Sequence, residues 1–354
     1  MSHLIAMSGG VDSSVSLLLS KEKFRGERLT GVTLALAAED SPEHTSDLSN
    51  IQDAAAVCVS QGVEHRAVFA HDEFKAAVID YFTRSYRDGQ TPNPCVVCNR
   101  EIKFGLLGNY ADKNGYERIV TGHYARLEEI GGYTYIRKAT DPAKDQSYML
   151  AYLTQEQLKR AYFPLGELTK AEVRQIAEEN KLVSARRRDS QDICFIPDGD
   201  YVAAIAKITG QEPIPGKYVD MDGRFLGNNR GHICYTIGQR KGLGISMGKH
   251  VYVISKDAAT NTVVLGDEDN LFHRQVKLRD LSLPSDPRAL DGDIRCIAKI
   301  RYAHKGAECT LHRTSSTTAV LEFDEPQRAP SPGQFAVIYD IDSGEYVLGA
   351  GVIE

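Results

Sequence analysis

A short loop of serine and glycine between an apolar segment and a helix-like segment is the most constraining feature of this sequence. Residues 3–7 are apolar enough for a buried strand, and residues 13–20 have a pattern typical of the start of a helix. Residues 8–13 between them have the sequence Ser-Gly-Gly-Val-Asp-Ser. Glycines let backbone N–H groups approach an anion, and a helix N-terminus adds partial positive charge. The order strand, loop, helix therefore predicts a phosphate-binding loop, with an ordinary serine-rich helix cap as the alternative.

The composition of this loop favours one kind of phosphate chemistry. It lacks the Gly-Lys-Ser/Thr sequence whose lysine reaches the β- and γ-phosphates in kinase-like loops. A loop of Ser and Gly with one aspartate suits a pyrophosphate group with Mg²⁺ nearby, and Asp12 is the candidate ligand for that ion. Such a loop favours attack at the α-phosphate of ATP, with pyrophosphate leaving and an AMP adduct forming.

Further strands and helices alternate along the first half of the chain. Strands are predicted at residues 29–36, 64–69 and 117–121, and helices at residues 53–60, 72–87, 101–113 and 169–180. Residues 37–50 are polar and rich in turn formers, which predicts a loop. Alternation at this spacing indicates an α/β fold, with a parallel sheet and helices on both faces.

After about residue 200 the pattern changes to short alternating runs separated by Gly, Pro, Asp and Asn, which indicates an all-β region. No apolar run reaches the roughly 18 residues that a membrane span needs. The first residues do not have the pattern of a signal peptide. We therefore expect a cytoplasmic protein without a membrane partner. Its net charge of −6 counts mildly against nucleic-acid binding, although net charge does not exclude local basic patches.

The seven cysteines include one close pair, Cys95 and Cys98, in the segment Thr-Pro-Asn-Pro-Cys-Val-Val-Cys. Two prolines place this pair on a loop or at a helix start, where a thiol pKa would be lowered. Half of a zinc site, a redox disulfide and two structural cysteines are the alternative interpretations. Cys194 lies 96 residues beyond Cys98. A sulfur-delivery enzyme needs one thiol to carry a persulfide, and a second to release the sulfur by forming a disulfide.

Nine sequence blocks together resemble the bacterial tRNA-specific 2-thiouridylase family within the PP-loop superfamily of ATP-using enzymes. The blocks are SGGVDSSV, TPNPCVVCNREIKF, TGHYAR, KDQSYML, DSQDICFI, YTIGQRKGLGI, IRYAHKG, SPGQ and VLGAGVI. The last four lie outside the nucleotide-binding part and separate this family from other PP-loop enzymes. The resemblance implies a Rossmann-like PP-loop domain, a small central domain and a C-terminal β-barrel. We expect these domains at residues 1–198, 199–270 and 271–354.

The resemblance also implies roles for individual residues. The family makes 2-thiouridine at the wobble position of tRNA, with Cys98 as the catalytic nucleophile and Cys194 as the persulfide carrier. The positions that correspond to ATP contacts are Ala6, Met7, Ser8, Gly9, Gly10, Val11, Asp12, Ser13, Leu34 and Gly122. The positions that correspond to tRNA contacts are Asn93, Pro94, Cys95, His123, Lys144, Asp145, Gln146, Arg301, Tyr302 and Gln334.

Cys95 departs from the family pattern, which has aspartate at this position. Cys95, Cys98 and Cys194 together could ligate three irons of a [4Fe–4S] cluster and leave the fourth iron open for sulfide. Sulfur could therefore come from a persulfide-relay protein or from free sulfide. Two other functions stay open: a PP-loop ligase or amidotransferase for a small molecule, and a non-catalytic, nucleotide-dependent RNA-binding protein.

Overall fold

A five-stranded parallel sheet forms the centre of the first domain, in a computed structural model that describes residues 1–37, 42–186, 193–196, 198–284, 288 and 291–354. The strands of the domain are β1 Ser2–Ala6, β2 Arg28–Ala35, β3 Glu64–Phe69, β4 Arg118–Val120, β5 Arg126–Ile130, β6 Tyr133–Arg137 and β7 Ala161–Tyr162. The sheet order is β3-β2-β1-β4-β7 with every pair parallel, while β5 and β6 form a separate antiparallel hairpin. The predicted parallel α/β sheet is confirmed.

The α-helices of this domain are α1 Val11–Lys23, α2 Pro42–Ser60, α3 His71–Phe74, α4 Asp80–Arg87, α5 Pro94–Cys98, α6 Leu107–Lys113, α7 Ser147–Leu150, α8 Gln155–Arg160 and α9 Lys170–Glu179. A capping box forms at the start of α9, since Thr169 and Glu172 each accept a backbone N–H from the other residue. The predicted loop at residues 37–50 is wrong for its second half, because α2 begins at Pro42. Proline fits the first turn of a helix, and packing of the later turns extends the helix backwards through this polar segment. Residues 38–41 of the predicted loop lie outside the described residues.

Two helices expected to be regular contain π-helical turns. Lys75–Ile79 joins α3 to α4, and Asn99–Leu106 joins α5 to α6. The second segment begins directly after Cys98. In an α-helix, residues five apart point about 140° away from each other at 100° per residue. A π-helix bonds residue i to residue i+5, which brings the fifth residue back towards the first. The turn therefore brings Lys103 towards the side of the helix that carries Cys98.

The later part of the chain forms two further β structures. The central part contains α10 Tyr201–Thr209, β8 Gly216–Val219, β9 Phe225–Asn229, β10 Tyr252–Asp257 and β11 Thr262–Gly266 in a four-stranded sheet of order β10-β11-β8-β9. The strands β12 Phe272–Ser282, β13 Asp293–Lys299, β14 Ala307–Arg313, β15 Ala319–Arg328, β16 Phe335–Asp340 and β17 Val347–Ile353 close into a barrel. The expected α/β domain, small central domain and C-terminal β-barrel are all present.

The barrel shares a hydrophobic core with the first domain. Phe335, Val337 and Tyr339 of β16 are buried in the same cluster as Leu4 of β1 and Tyr148 of α7. The Tyr148 hydroxyl donates to the Phe335 carbonyl oxygen at 2.8 Å. One wall of the barrel therefore packs into the same core as the parallel sheet of the first domain. Among the described residues, no helix is long and apolar enough to span a membrane.

Candidate nucleotide and thiol site

The predicted phosphate loop lies where the strand order of the sheet reverses. β1 is hydrogen-bonded to β2 on one side and to β4 on the other, so a crevice opens at the carboxyl ends of β1 and β4. The loop after β1 and the turn at Gly122 after β4 meet in this crevice. A Cβ atom on Gly122 would lie 3.0 Å from the Asp12 carbonyl carbon and 3.1 Å from the Ser13 nitrogen. Only glycine permits this close approach of the two segments.

The phosphate loop is held by its own serines. Ser8 N–H donates to Ser13 Oγ at 3.1 Å, and Ser13 Oγ donates to the Gly10 carbonyl oxygen at 3.1 Å. Gly9 has a φ of +72°, which glycine adopts without strain. Gly10 is the N-cap of the 13-residue helix α1 and caps it with no side chain. The first N–H groups of α1 can therefore bind an anion, which fits the phosphates of ATP.

Asp12 makes contacts that the sequence did not reveal. Its carboxylate accepts from Lys170 Nζ at 2.7 and 2.9 Å and from the Tyr124 hydroxyl at 2.8 Å. The Lys170 side chain, at the start of α9, is only 11 % exposed. The ion pair holds the Lys170 side chain beside the phosphate loop, which has no lysine of its own. Mg²⁺ binding by Asp12 would require this carboxylate to exchange partners.

The close cysteine pair lies on the short helix α5, in agreement with the expected helix start. Asn93 is the N-cap, its side-chain oxygen accepts from Val96 N–H at 3.4 Å, and Pro94 begins the helix. Cys95 lies in the first turn and is partly buried, whereas Cys98 is the last residue of α5 and is 8 % exposed. The chain continues directly into the π-helical turn. Cys98 therefore does not sit at a helix N-terminus, although Cys95 does.

Burial dominates the thiol pKa values and overturns the expectation of a lowered value. Burial raises the pKa of both the Cys95 and the Cys98 thiol above the usual value of 9.0. The charge of Lys103 opposes this effect by lowering the pKa of each thiol, while Cys95 adds a raising effect at Cys98. The apolar cluster around Cys98, formed by Phe74, Val78 and Ile102, explains the dominance of burial.

Cys194 comes close enough to the pair to interact with it electrostatically. Phe195 packs edge-on against Phe74 at 5.8 Å between ring centroids and belongs to the shell around Cys98. Loss of hydration beside the surrounding protein atoms raises the pKa of the Cys194 thiol, and Cys98 and Cys95 add to this effect. The residue is nevertheless exposed to solvent, which limits the free-energy cost of ionising the thiol. The charged stretch at residues 187–192 before it lies outside the described residues.

A pair of side chains connects the thiols to the nucleotide crevice. Lys103 Nζ lies 3.4 Å from His123 Nε2, and His123 Nδ1 lies 2.7 Å from Thr121 Oγ1. Burial, and then the charge of Lys103, lowers the pKa of His123 well below its usual value, so the ring is neutral. An ammonium group can only donate, so Nε2 accepts and Nδ1 carries the proton. Lys103, which the sequence did not single out, therefore belongs to both parts of the site.

The remaining predicted residues lie at contacts between segments. Tyr302 Oη donates to the Asp145 carbonyl oxygen at 3.2 Å, and Gln146 Oε1 accepts from Tyr124 N–H at 2.9 Å. The Asp145 carboxylate accepts from Ser147 Oγ at 2.8 Å, and Lys144 N–H donates to a neighbouring carbonyl oxygen. The structure therefore brings residues 145 and 146 into contact with the barrel and with Tyr124, the residue after His123.

Arg301 and Gln334, two further predicted tRNA contacts, lie on the barrel. Arg301 Nη1 donates to the Arg328 carbonyl oxygen at 3.0 Å, and Gln334 Nε2 donates to the Thr91 carbonyl oxygen at 2.7 Å. The predicted ATP contact Leu34 is partly buried on β2 and packs against the cluster that contains Cys98. Leu34 therefore touches the thiol part of the site as well as the sheet.

Nothing in the described ranges forms a ready metal site: no group of three or more His, Cys, Asp or Glu side chains has the arrangement needed to hold an ion. The three thiols have the right chemistry for an iron–sulfur cluster, but they are not arranged as its ligands. The fold and the site together define an α/β nucleotide-binding enzyme with three cysteines near the nucleotide crevice.

Three family models match consecutive parts of the chain. A tRNA methyl transferase HUP domain matches residues 1–198, a tRNA methyl transferase PRC-barrel domain matches residues 203–267, and an aminomethyltransferase beta-barrel domain matches residues 273–353. Although these descriptions mention methyl transfer, the full-length relatives carry another name.

Those relatives are named tRNA-specific 2-thiouridylase MnmA. The protein of Moorella thermoacetica is 44 % identical over 359 residues, covering 99 % of each chain. That of Lachnoclostridium phytofermentans is 42 % identical over 357 residues, covering 99 % of this chain and 98 % of its own. The chain belongs to the tRNA-specific 2-thiouridylase MnmA family. A U34-tRNA thiolase NcsA from Methanococcus maripaludis, solved with its [4Fe-4S] cluster, matches 59 % of this chain and 66 % of its own at 16 % identity, with a TM-score of 0.37.

Proposed function

We propose that this protein is an ATP-dependent tRNA uridine 2-sulfurtransferase that makes 2-thiouridine at the wobble position. One observation carries the proposal: Lys103 and His123 join a phosphate-binding crevice to a group of three thiols. A small-molecule ligase would need the crevice but not the thiols. We assign the catalytic domain to residues 1–198, the central domain to 199–270 and the barrel to 271–354.

In the first stage, the uridine is activated by adenylation. ATP binds with its phosphates at the start of α1 and beside Gly122, where the uncapped N–H groups and Lys170 offset their charge. Ala6 to Ser13 and Leu34 form the remaining contacts. The uridine O2 attacks the α-phosphorus, the bond to the β-phosphate oxygen breaks, and pyrophosphate leaves. The resulting O2–AMP bond makes the oxygen a good leaving group.

In the second stage, sulfur replaces this oxygen. The terminal sulfur of a persulfide on Cys194 attacks C2, and the C2–O2 bond breaks so that AMP departs with the oxygen. The Cys98 thiolate then attacks the Cys194 sulfur, which forms a Cys98–Cys194 disulfide and leaves the sulfur on C2. The two cysteines supply the two electrons, so an external thiol must reduce the disulfide before the next cycle.

The tRNA is recognised along a path from the thiols to the barrel. Asn93, Pro94 and Cys95 approach the target base, and His123 lies beside it. Lys144, Asp145, Gln146, Arg301, Tyr302 and Gln334 contact the rest of the tRNA. The sulfur donor is a persulfide-relay protein, which passes its outer sulfur to Cys194, and the reaction takes place in the cytoplasm. Free sulfide would serve only the alternative carrier, an iron–sulfur cluster.

Isotope transfer tests the adenylation step. We expect tRNA labelled with ¹⁸O at O2 of the wobble uridine to give AMP that contains one ¹⁸O atom, while pyrophosphate contains none. Mass spectrometry of both products makes the measurement. Unlabelled AMP formed together with 2-thiouridine would show that the oxygen leaves by another route.

An iron–sulfur cluster on Cys95, Cys98 and Cys194 is the alternative sulfur carrier. It would hold sulfide on an open iron. Among the described residues, the three thiols are not arranged as the ligands of such a cluster. Anaerobic reconstitution with iron and sulfide tests this alternative. The absence of broad visible absorption, together with full activity of Cys95→Ala, would exclude it.

A further inference from the structure

A cavity of about 210 Å³ lies where the three domains meet. The catalytic domain contributes Thr91 to its lining, and the central domain contributes residues 236–238. The barrel contributes Arg301, Arg328 and Gln334, among others. A cavity built by three separate parts of the chain forms only when all of them are in their folded positions.

The charge that lines this cavity is positive. Arg301 and Arg328 both face it, and no aspartate or glutamate is among the described residues of its lining. Arg301 is partly buried, and burial and then the charge of Arg328 lower its pKa. Glu268 pairs with Arg328 Nε at 3.4 Å, but it lies outside the lining. Two guanidinium groups so placed favour an anion that can accept from both.

Small and polar neighbours leave room for such an anion. Thr91, Thr236 and Ser331 line the cavity beside the arginines. Gly238 has a φ of +83°, and a Cβ atom there would lie 3.1 Å from Ala329 Cβ and 3.5 Å from Arg328 Nη1. The glycine therefore keeps the approach to the Arg328 guanidinium open.

The cavity is also joined to the segment that leads into α5, the helix that carries Cys95 and Cys98. Thr91 N–H donates to the Pro332 carbonyl oxygen at 2.7 Å, and Gln334 Nε2 donates to the carbonyl oxygens of Thr91 at 2.7 Å and Pro92 at 3.2 Å. These bonds fix the backbone two residues before Asn93. An anion held in the cavity is thereby set at a fixed position relative to α5.

We propose that this cavity binds a backbone phosphate of the tRNA, with Arg301 and Arg328 as its charged ligands. The inference rests on the proposed function and adds Arg328 and the central domain to the tRNA site. A phosphodiester in this position would set the register of the tRNA, so that the target uridine meets the crevice and the thiols together. Free phosphate or pyrophosphate shares this chemistry and is the competing source.

Salt-dependent binding of unmodified tRNA to the full chain tests the proposal. Arg328→Gln is expected to weaken binding about tenfold, the usual effect of losing one charge-assisted hydrogen bond. It should also reduce the slope of log affinity against log salt by about one unit. Arg295→Gln is the matched control, because it removes the same charge from a barrel arginine that pairs with Asp324 at 2.7 Å and Glu308 at 3.0 Å.

A second variant distinguishes a loss of tRNA binding from a folding defect. Thr236→Asp places a carboxylate beside the two arginines, so we expect equal or higher thermal stability together with weaker tRNA binding. The proposal is overturned if Arg328→Gln and Thr236→Asp both keep the wild-type affinity and salt slope.

A last measurement uses inorganic phosphate and pyrophosphate to test whether the cavity binds a free anion instead of tRNA. Stabilisation of the wild-type protein by either ion at millimolar concentration, lost in Arg328→Gln while tRNA binding is unchanged, would assign the cavity to a free anion and overturn the tRNA assignment. All these measurements report binding, so they stand even if the wild-type protein makes no 2-thiouridine.

Discussion

Individual side chains decide how reactive the thiols are. Burial raises the pKa of Cys95, Cys98 and Cys194, and Lys103 is the cation that lowers all three. The Cys98 thiol, which releases the sulfur in the proposed reaction, is therefore largely protonated at neutral pH. Because the thiolate is the reactive form, we expect the rate of sulfur transfer to rise as the pH increases from 7 towards 9. A rate independent of pH over this range, measured by single-turnover formation of 2-thiouridine, would contradict this assignment.

Replacing Lys103 should make the thiols less reactive. Lys103→Met removes the charge that lowers the pKa of Cys194, so a smaller fraction of thiolate is present at pH 8. A rise of about one pKa unit, typical of losing one nearby charge, corresponds to about tenfold slower alkylation by iodoacetamide. Mass spectrometry of the Cys194 peptide gives the rate. Lys103→Arg should retain most of it, and Lys113→Met, an exposed lysine on α6, should retain all of it.

Removing either proposed catalytic thiol should separate the two stages. Cys98→Ser and Cys194→Ser are expected to lose 2-thiouridine formation while still releasing pyrophosphate from ATP in the presence of tRNA. Cys234→Ser, at a buried cysteine of the central domain, is the control and should keep both activities. Loss of pyrophosphate release in the two thiol variants would show that the thiols support adenylation instead.

Sequence motifs mark the candidate positions of the site, but they do not reveal the partners of these residues. The loop at 8–13, the pair Cys95 and Cys98, and Cys194 each lie within a short block. The contacts Lys170–Asp12 and Lys103–His123 join residues 158 and 20 positions apart, and no local pattern marks them. The lowered thiol pKa was wrongly expected, because a helix start is visible in sequence whereas burial by distant segments is not.

Secondary-structure elements meet closely at the nucleotide crevice, and this closeness can be tested. Gly122→Ala would place a Cβ atom 3.0 Å from the Asp12 carbonyl carbon, a backbone atom that cannot move aside alone. We expect a cost of about 1–3 kcal/mol in the free energy of unfolding. ATP should also bind more weakly, as measured by calorimetric titration.

The control for this change is Gly108→Ala in α6, where an added Cβ atom meets nothing within 4 Å. Its unfolding free energy should stay equal or rise slightly, since alanine favours a helix. Equal ATP affinity of Gly122→Ala and the wild-type protein would show that the crevice does not bind the nucleotide.

Element boundaries show what local sequence can and cannot predict. β3 was predicted at its observed bounds, residues 64–69. The start of α2 at Pro42 was missed, because polar residues in its first turns resemble a loop. The π-helical turns were also missed, since apolar periodicity does not distinguish them from regular helix.

The whole molecule depends on the contact between the barrel and the sheet domain. Phe335 of β16 is 1 % exposed and packs edge-on against Tyr152 at 5.0 Å between ring centroids. Phe335→Ala is expected to cost about 3–5 kcal/mol in the free energy of unfolding. Denaturant unfolding provides the measurement, and Phe225→Ala, at a residue 63 % exposed, should cost far less. Similar costs for both variants would show that the interface does not stabilise the fold.

We propose that this protein replaces the O2 oxygen of a tRNA uridine with sulfur and consumes ATP in doing so. The most direct test is incubation with ATP, Mg²⁺ and unmodified tRNA, with a persulfide donor in one reaction and sulfide in another. The tRNA is then digested to nucleosides and analysed by mass spectrometry. We predict ATP-dependent 2-thiouridine at the wobble position with at least one donor. Its absence with both donors, or a methylated nucleoside in its place, would contradict the account.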